Sequence, residues 1–220
     1  EWSLHLSGSD TPLMHFPWDW MYTAGFPKKK ALTPAPHLRF DGHIQIGEQR
    51  IDVDGWEGLR GHNWGREHAW TYAYGNCQLW NDGGRRTVDG FSAKIRLPGG
   101  LKSPWLSTTV ARSPDCNLNQ PGDWFGGVHL DPTSWTLTKS RHRLEMSTTA
   151  ERMVGLRYAH PDGSESYCYN TKFAEVNWTV GDATFHSDKG EFESLFPTPV
   201  AEIPLHPTPD WDRTQGDYRS

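Results

Sequence analysis

The stretch Gly58-Leu59-Arg60-Gly61-His62-Asn63-Trp64-Gly65-Arg66-Glu67-His68-Ala69-Trp70 holds the densest set of side chains able to do chemistry. In an extended strand successive side chains point to opposite faces, so His62 and Trp64, two apart, share one face. An imidazole titrates near pH ~6.5 and can give or take a proton at neutral pH. An indole beside it could shelter a developing cation with its ring face. Such a pair could do general acid–base work beside a sheltered cation. The same spacing equally suits a plain structural strand, with His62 hydrogen-bonded internally and Trp64 in the core.

Other candidates are more scattered. Lys28-Lys29-Lys30 could hold an anion or an acidic head group, although so short a charge run also suits a solvated loop. Asp82 and Asp89 flank Gly83-Gly84-Arg85-Arg86, the composition of a hairpin tip, so one would form the turn and the other would face a barrel interior. The 11 histidines invite a metal reading, yet no H-x-H or H-x-x-x-H occurs, and a metal site needs three converging ligands. Cys77, Cys116 and Cys168 are odd in number and show no C-x-x-C spacing, as expected of reduced, half-buried thiols. There is no G-x-S-x-G, so a serine nucleophile is not expected.

These residues must be positioned by strands. No window shows a sustained 3.6-residue repeat, whereas period-2 alternation recurs. His43-Ile44-Gln45-Ile46 and Arg50-Ile51-Asp52-Val53 flank a short Gly-containing turn. Trp70, Tyr72 and Tyr74 alternate with the smaller Ala69, Thr71 and Ala73, giving one strand an aromatic face and a small face. Trp135 and Leu137 answer Leu144 and Met146. Val154, Leu156 and Tyr158 alternate, as do Ala174, Val176, Trp178 and Val180. This pattern predicts an all-β, antiparallel barrel or sandwich. Residues 10–36, with five prolines, and residues 113–123 read as irregular, and the proline-rich tail after Pro197 as an extended surface segment.

The net charge of -5, from 27 acidic and 22 basic residues, argues against a nucleic-acid partner. No run reaches the ~18–20 apolar residues of a membrane helix. With 12 Trp, 9 Phe and 7 Tyr, the chain has enough large aromatics for a substantial core.

Gly61-His62-Asn63-Trp64-Gly65, followed by Trp70-Thr71-Tyr72-Ala73-Tyr74-Gly75, resembles the H-x-W-G segment and aromatic strand of the carotenoid 1,2-hydratase and tocopherol-cyclase-like family. Gly25-Phe26-Pro27-Lys28-Lys29-Lys30 and Phe40-Asp41-Gly42-His43-Ile44 resemble its proline–lysine segment and following hairpin. Tyr158-Ala159-His160-Pro161-Asp162-Gly163 and Tyr167-Cys168-Tyr169-Asn170-Thr171-Lys172 are similar to second-domain strands of its bacterial relatives.

The resemblance implies two lipocalin-like β units packed side by side, with a large hydrophobic ligand between or within them. Residues 1–66 would be the C-terminal part of a first, incomplete unit, and residues 67–220 a second unit with an extended tail. A missing segment, a second chain or a protomer would complete the first. The implied function is acid-assisted hydration or cyclisation of a double bond in an isoprenoid- or polyketide-like substrate. His62 and Trp64 would be catalytic together with Asp89, and the acid is left open between Asp82 or Asp89 and Tyr72 or Tyr74. Trp70, Tyr72, Tyr74 and Lys29 would bind substrate. The expectation is of no metal, no cofactor and a cytoplasmic location. Two other readings are open: a carrier of the same fold without chemistry, and a metal-dependent barrel of cupin type.

Overall fold

The computed structural model of the 220-residue chain describes residues 1–8, 11–25, 27–65, 69–113, 117–118, 124–160 and 163–206. His68, Cys116 and the tail from residue 207, named above, lie outside the described residues. The elements in order are β1 (Trp2–Ser7), β2 (Leu13–Met14), α1 (Trp20–Thr23), β3 (Lys29–Ile46), β4 (Gln49–Gly65), β5 (Thr71–Cys77), β6 (Thr87–Lys94) and β7 (Leu106–Arg112). They continue as β8 (Asn117–Leu118), β9 (Gly127–Asp131), β10 (Ser134–Thr138), β11 (His142–Ser147), β12 (Val154–Ala159), β13 (Glu165–Val180) and β14 (Ala183–Phe196).

The chain is all-β, and every pairing between these strands is antiparallel. It folds as two β units: β1–β4 make a four-stranded sheet, and β5–β14 a ten-stranded one. In the second sheet the order is β8-β7-β6-β5-β14-β13-β11-β10-β9, with β12 also on β13. Among the described residues, no helix is long and apolar enough to cross a membrane.

The ten-stranded sheet curls around its own core. The Trp135 indole on β10 donates to Ser92 Oγ on β6 at 3.1 Å, and Lys139 Nζ just after β10 reaches the Ser107 carbonyl on β7 at 3.4 Å. These strands stand far apart in the sheet order, so only strong curvature can bring them into contact. The enclosed face carries Ala73, Trp135, Leu137, Leu144, Met146, Tyr169, Val176, Trp178 and Phe192. Gly75 sits where Met146 Sδ passes so close that a Cβ would collide with it, so the small face of β5 is what admits Met146.

The alternations read from the sequence pair in register. Trp135 lies opposite Met146, and Leu137 opposite Leu144. Val180 closes onto Ala183 across a turn in which Gly181 takes a positive φ of 57°. The β3–β4 hairpin turns at Gly47, also at positive φ, but it runs much further than the alternation suggested. β3 begins at Lys29 and passes through Pro34 and Pro36, inside the stretch expected to be irregular. Proline lacks the ladder donor, and the strand accommodates it with register breaks between Leu32 and Ala35 and between Ala35 and Leu38. In the tail, Ile203, only 2% exposed, enters the core and Leu205 bridges Gly155, while Thr198, Pro199, Ala201, Glu202, Pro204 and His206 are exposed, so the segment up to residue 206 lies on the surface and is anchored at these points.

Leu144 is fully buried between Leu137 and Trp178. Leu144→Ala should therefore cost about 2–5 kcal/mol, read as a lower urea midpoint at unchanged slope.

Candidate active site

β5 serves two environments. Ala73 points into the core, while Tyr72 and Tyr74 point to the opposite side, towards the β1–β4 sheet. Cross-strand partners in an antiparallel ladder share a face, so the Tyr72–Leu195, Tyr74–Glu193 and Asn76–Glu191 pairs place two carboxylates of β14 beside the two phenols. Cys168 and Asn170 continue this face on β13, and Leu156 and Val154 on β12. β3 crosses above it and supplies Lys29.

The resulting pocket has a volume of about 550 Å³ and is lined by Lys29, Asn63, Tyr72, Tyr158, His160 and Glu193, with Arg157 and Ala159 at its exposed rim. That size is within the range of small-molecule sites. At its centre the Tyr72 hydroxyl donates to Glu193 Oε1, and Asn170 Nδ2 donates to Glu193 Oε2 at 3.1 Å. The Lys29 ammonium stands 5.4 Å from the centroid of the Tyr72 ring. Among the described residues, no carboxylate forms an ion pair with Lys29. Glu191, by contrast, is taken up by Lys172 and by Asn76.

Burial sets the protonation states. It drives the Tyr72 phenol far above its ordinary value, and the neighbouring Glu193 charge adds to the effect, so Tyr72 stays a neutral donor. Tyr158 is raised by burial and by its contact with Cys168. Cys168 is pushed up to about 12 by burial and then by the Glu193 charge, which makes it an inert thiol. Burial lowers Lys29, and the Glu193 charge opposes that shift.

The sequence-predicted residues separate into groups. Lys29 and Tyr72 meet in the pocket. Tyr74 lies beside it, its hydroxyl accepting from Asn76 Nδ2 at 3.0 Å. His62 and Trp64 do share a face and stack, with ring centroids 4.9 Å apart and planes at 24°. Their face is opposite to that of Asn63, which lines the pocket. Trp64 packs on Tyr22 there, and His62 is exposed. Trp70 holds the Lys102 ammonium 3.4 Å from its ring centroid and is not part of the pocket wall.

Asp82 is an exposed turn residue, accepting from Gly84 N and pairing with Arg86. Asp89 is 1% exposed and lies between the two sheets rather than inside the curled one. It accepts from the Thr33 hydroxyl of β3, and His15 Nε2 stands 3.6 Å away. Glu193 was not singled out in the sequence, and Tyr158 and Asn170 were noted only as parts of strands. The one local sign of Glu193 is the run Glu191-Phe192-Glu193, acidic side chains alternating with a core aromatic. Among the described residues, no three His, Cys, Asp or Glu side chains gather as a metal would require.

No protein-family model matches the chain. Two uncharacterised proteins of Mycobacterium tuberculosis, from strains CDC 1551 and H37Rv, are each 25% identical over 218 residues, an alignment covering 94% of this chain and 61% of theirs. The chain therefore spans less than two thirds of the length of these relatives. Among solved structures, kievitone hydratase from Nectria haematococca aligns with a TM-score of 0.46 at 10% identity, over 76% of this chain and 52% of that one. An AttH candidate from Nitrosomonas europaea aligns with a TM-score of 0.40 at 16% identity, over 87% of this chain and 57% of its own. Chain paths this loosely similar carry no residue roles, so function must come from the side chains.

Both described cysteines test the electrostatics of the site. Burial raises Cys77 to about 11 and Cys168 to about 12, from an ordinary 9.0. Folded thiols then keep their protons where unfolded ones lose them, so stability should be intact below pH 9 and fall as pH rises towards 11–12. At pH 8, iodoacetamide should modify neither residue until urea unfolds the chain, as peptide mass mapping would show.

Proposed function

We propose that this chain belongs to a lipocalin-like enzyme that adds water to, or closes a ring across, a double bond of a largely hydrophobic small molecule. The observation that carries the reading is the Tyr72–Glu193 hydrogen bond on the pocket wall beside Lys29. A neutral phenol that donates to a carboxyl oxygen in this way gives a proton donor and a proton acceptor placed to act on one substrate, which is the geometry acid–base catalysis needs.

In the proposed reaction Glu193 receives the proton of the attacking water and Tyr72 supplies a proton to carbon. The reacting group would sit among polar side chains, and the apolar remainder of the ligand has a path along β12. Leu156 and Val154, 38% and 44% exposed, share the face of Tyr158 and lead away from the pocket. The resemblance of Gly61–Gly75 to hydratases and cyclases supports the same class of reaction, but the acid–base work proposed here belongs to Tyr72 and Glu193 rather than to the stacked His62–Trp64 pair.

Hydrophobic alkenes incubated with the protein and followed by mass spectrometry should gain one water or rearrange to an isomer. Tyr72→Phe and Glu193→Gln should each lower the rate about 10²–10⁴-fold while ligand binding, read by calorimetry, changes little. Turnover that survives both substitutions would contradict the reading.

A further inference from the structure

We propose that the double bond processed in this pocket is conjugated to a carbonyl, an α,β-unsaturated ketone or aldehyde, with Lys29 holding the carbonyl oxygen while Tyr72 and Glu193 add water across the bond. This rests on the acid–base reading above and names its substrate class.

Three features favour an activated over an isolated alkene. The donor in the pocket is a phenol made still less acidic by burial. Such a group is a poor acid for protonating an isolated alkene to a carbocation, yet it is ample for an enolate carbon, a far stronger base than a phenolate. The wall also bears a positive charge, Lys29, with no carboxylate ion pair among the described residues. A cation there would oppose a carbocation and stabilise an enolate oxygen. Finally, the stacked indole that could shelter a carbocation lies on the other face of β4, away from this pocket.

The geometry fits the four atoms of a conjugated carbonyl. Lys29 Nζ stands 5.4 Å from the Tyr72 ring centroid, and Lys29, Tyr72 and Glu193 line one pocket, so a carbonyl oxygen held by Lys29 would have its α- and β-carbons within the same cavity as the Tyr72–Glu193 pair. Glu193 takes a proton from water as the water oxygen bonds to the β-carbon. The π pair moves towards the carbonyl, giving an enolate whose oxygen is held by the Lys29 ammonium. Tyr72 gives its proton to the α-carbon, and the proton on Glu193 passes to the phenolate oxygen along their hydrogen bond. One water is added, nothing is oxidised or reduced, and both groups return to their starting states. The reverse sequence dehydrates a β-hydroxy carbonyl.

The test compares benzylideneacetone and geranial with β-methylstyrene and myrcene, which lack the carbonyl. Hydration should appear as loss of the conjugated absorbance and gain of one water, with the β-hydroxy ketone of benzylideneacetone run in reverse. We expect turnover of the carbonyl compounds only. It should fall about 10²–10⁴-fold in Tyr72→Phe and Glu193→Gln, and about 10²–10³-fold in kcat in Lys29→Met, with partial recovery in Lys29→Arg. Turnover of the hydrocarbons alone would overturn the carbonyl assignment and leave the hydration reading standing. Carbonyl turnover unchanged in Lys29→Met would overturn the role of Lys29, and turnover of neither class would count against both the assignment and the reading.

Discussion

The geometry of the site depends on one buried carboxylate. Asp89 on β6 is nearly inaccessible, and burying a charge is costly unless it is hydrogen-bonded. Thr33 on β3 donates its hydroxyl proton to Asp89, so the contact between His15 Nε2 and Thr33 Oγ at 3.3 Å must use a proton carried by His15 Nε2. His15 Nδ1 bonds the Thr108 hydroxyl on β7 at 3.0 Å. The chain of bonds ties the first sheet to the second beside an aromatic contact, where His15 and Phe16 pack on Phe91 of β6. Lys29 and Thr33 lie on the same side of β3, so fixing Thr33 over Asp89 also fixes Lys29 over Tyr72.

Locating the pocket between the units follows from how the curled sheet is filled. Trp135, Trp178, Tyr169 and Phe192 are fully buried in its interior, and the outer face of β5, β13 and β14 is the surface that carries the polar side chains of the pocket. Each of these strands therefore carries one register of core residues and one of functional ones. Phe192 and Glu193 are neighbours in sequence but face the core and the pocket respectively.

Much of the fold was legible because strand alternation is a local property. Trp135/Leu137 against Leu144/Met146, and Ala174 through Val180, could be read directly, as could the small and aromatic faces of β5. The run of β3 through Pro34 and Pro36 was not, because proline reads as a breaker, and only pairing with β4 shows that bulges absorb it. Ile203 was hidden for the same reason, among prolines whose packing partners are distant in sequence. In the site, Lys29 and Tyr72 were each singled out, but their meeting was not visible. Glu193 lies far along the chain from Tyr72 and joins it only through the β5–β14 ladder. His62 and Trp64 show the converse: their shared face was predictable from spacing, whereas that Asn63 and not they would face the pocket depends on how the two sheets meet.

The central claim is that Tyr72 and Glu193 work as one proton-exchanging unit. Residues that act together lose function non-additively, since removing either member disables the other. A double-mutant cycle on kcat, using Tyr72→Phe, Glu193→Gln and the double variant with the substrate turned over fastest, tests this directly. The relay predicts that the double variant is no slower than the slower single variant. Losses that multiply, each substitution lowering kcat by the same factor whether or not the other is present, would contradict it.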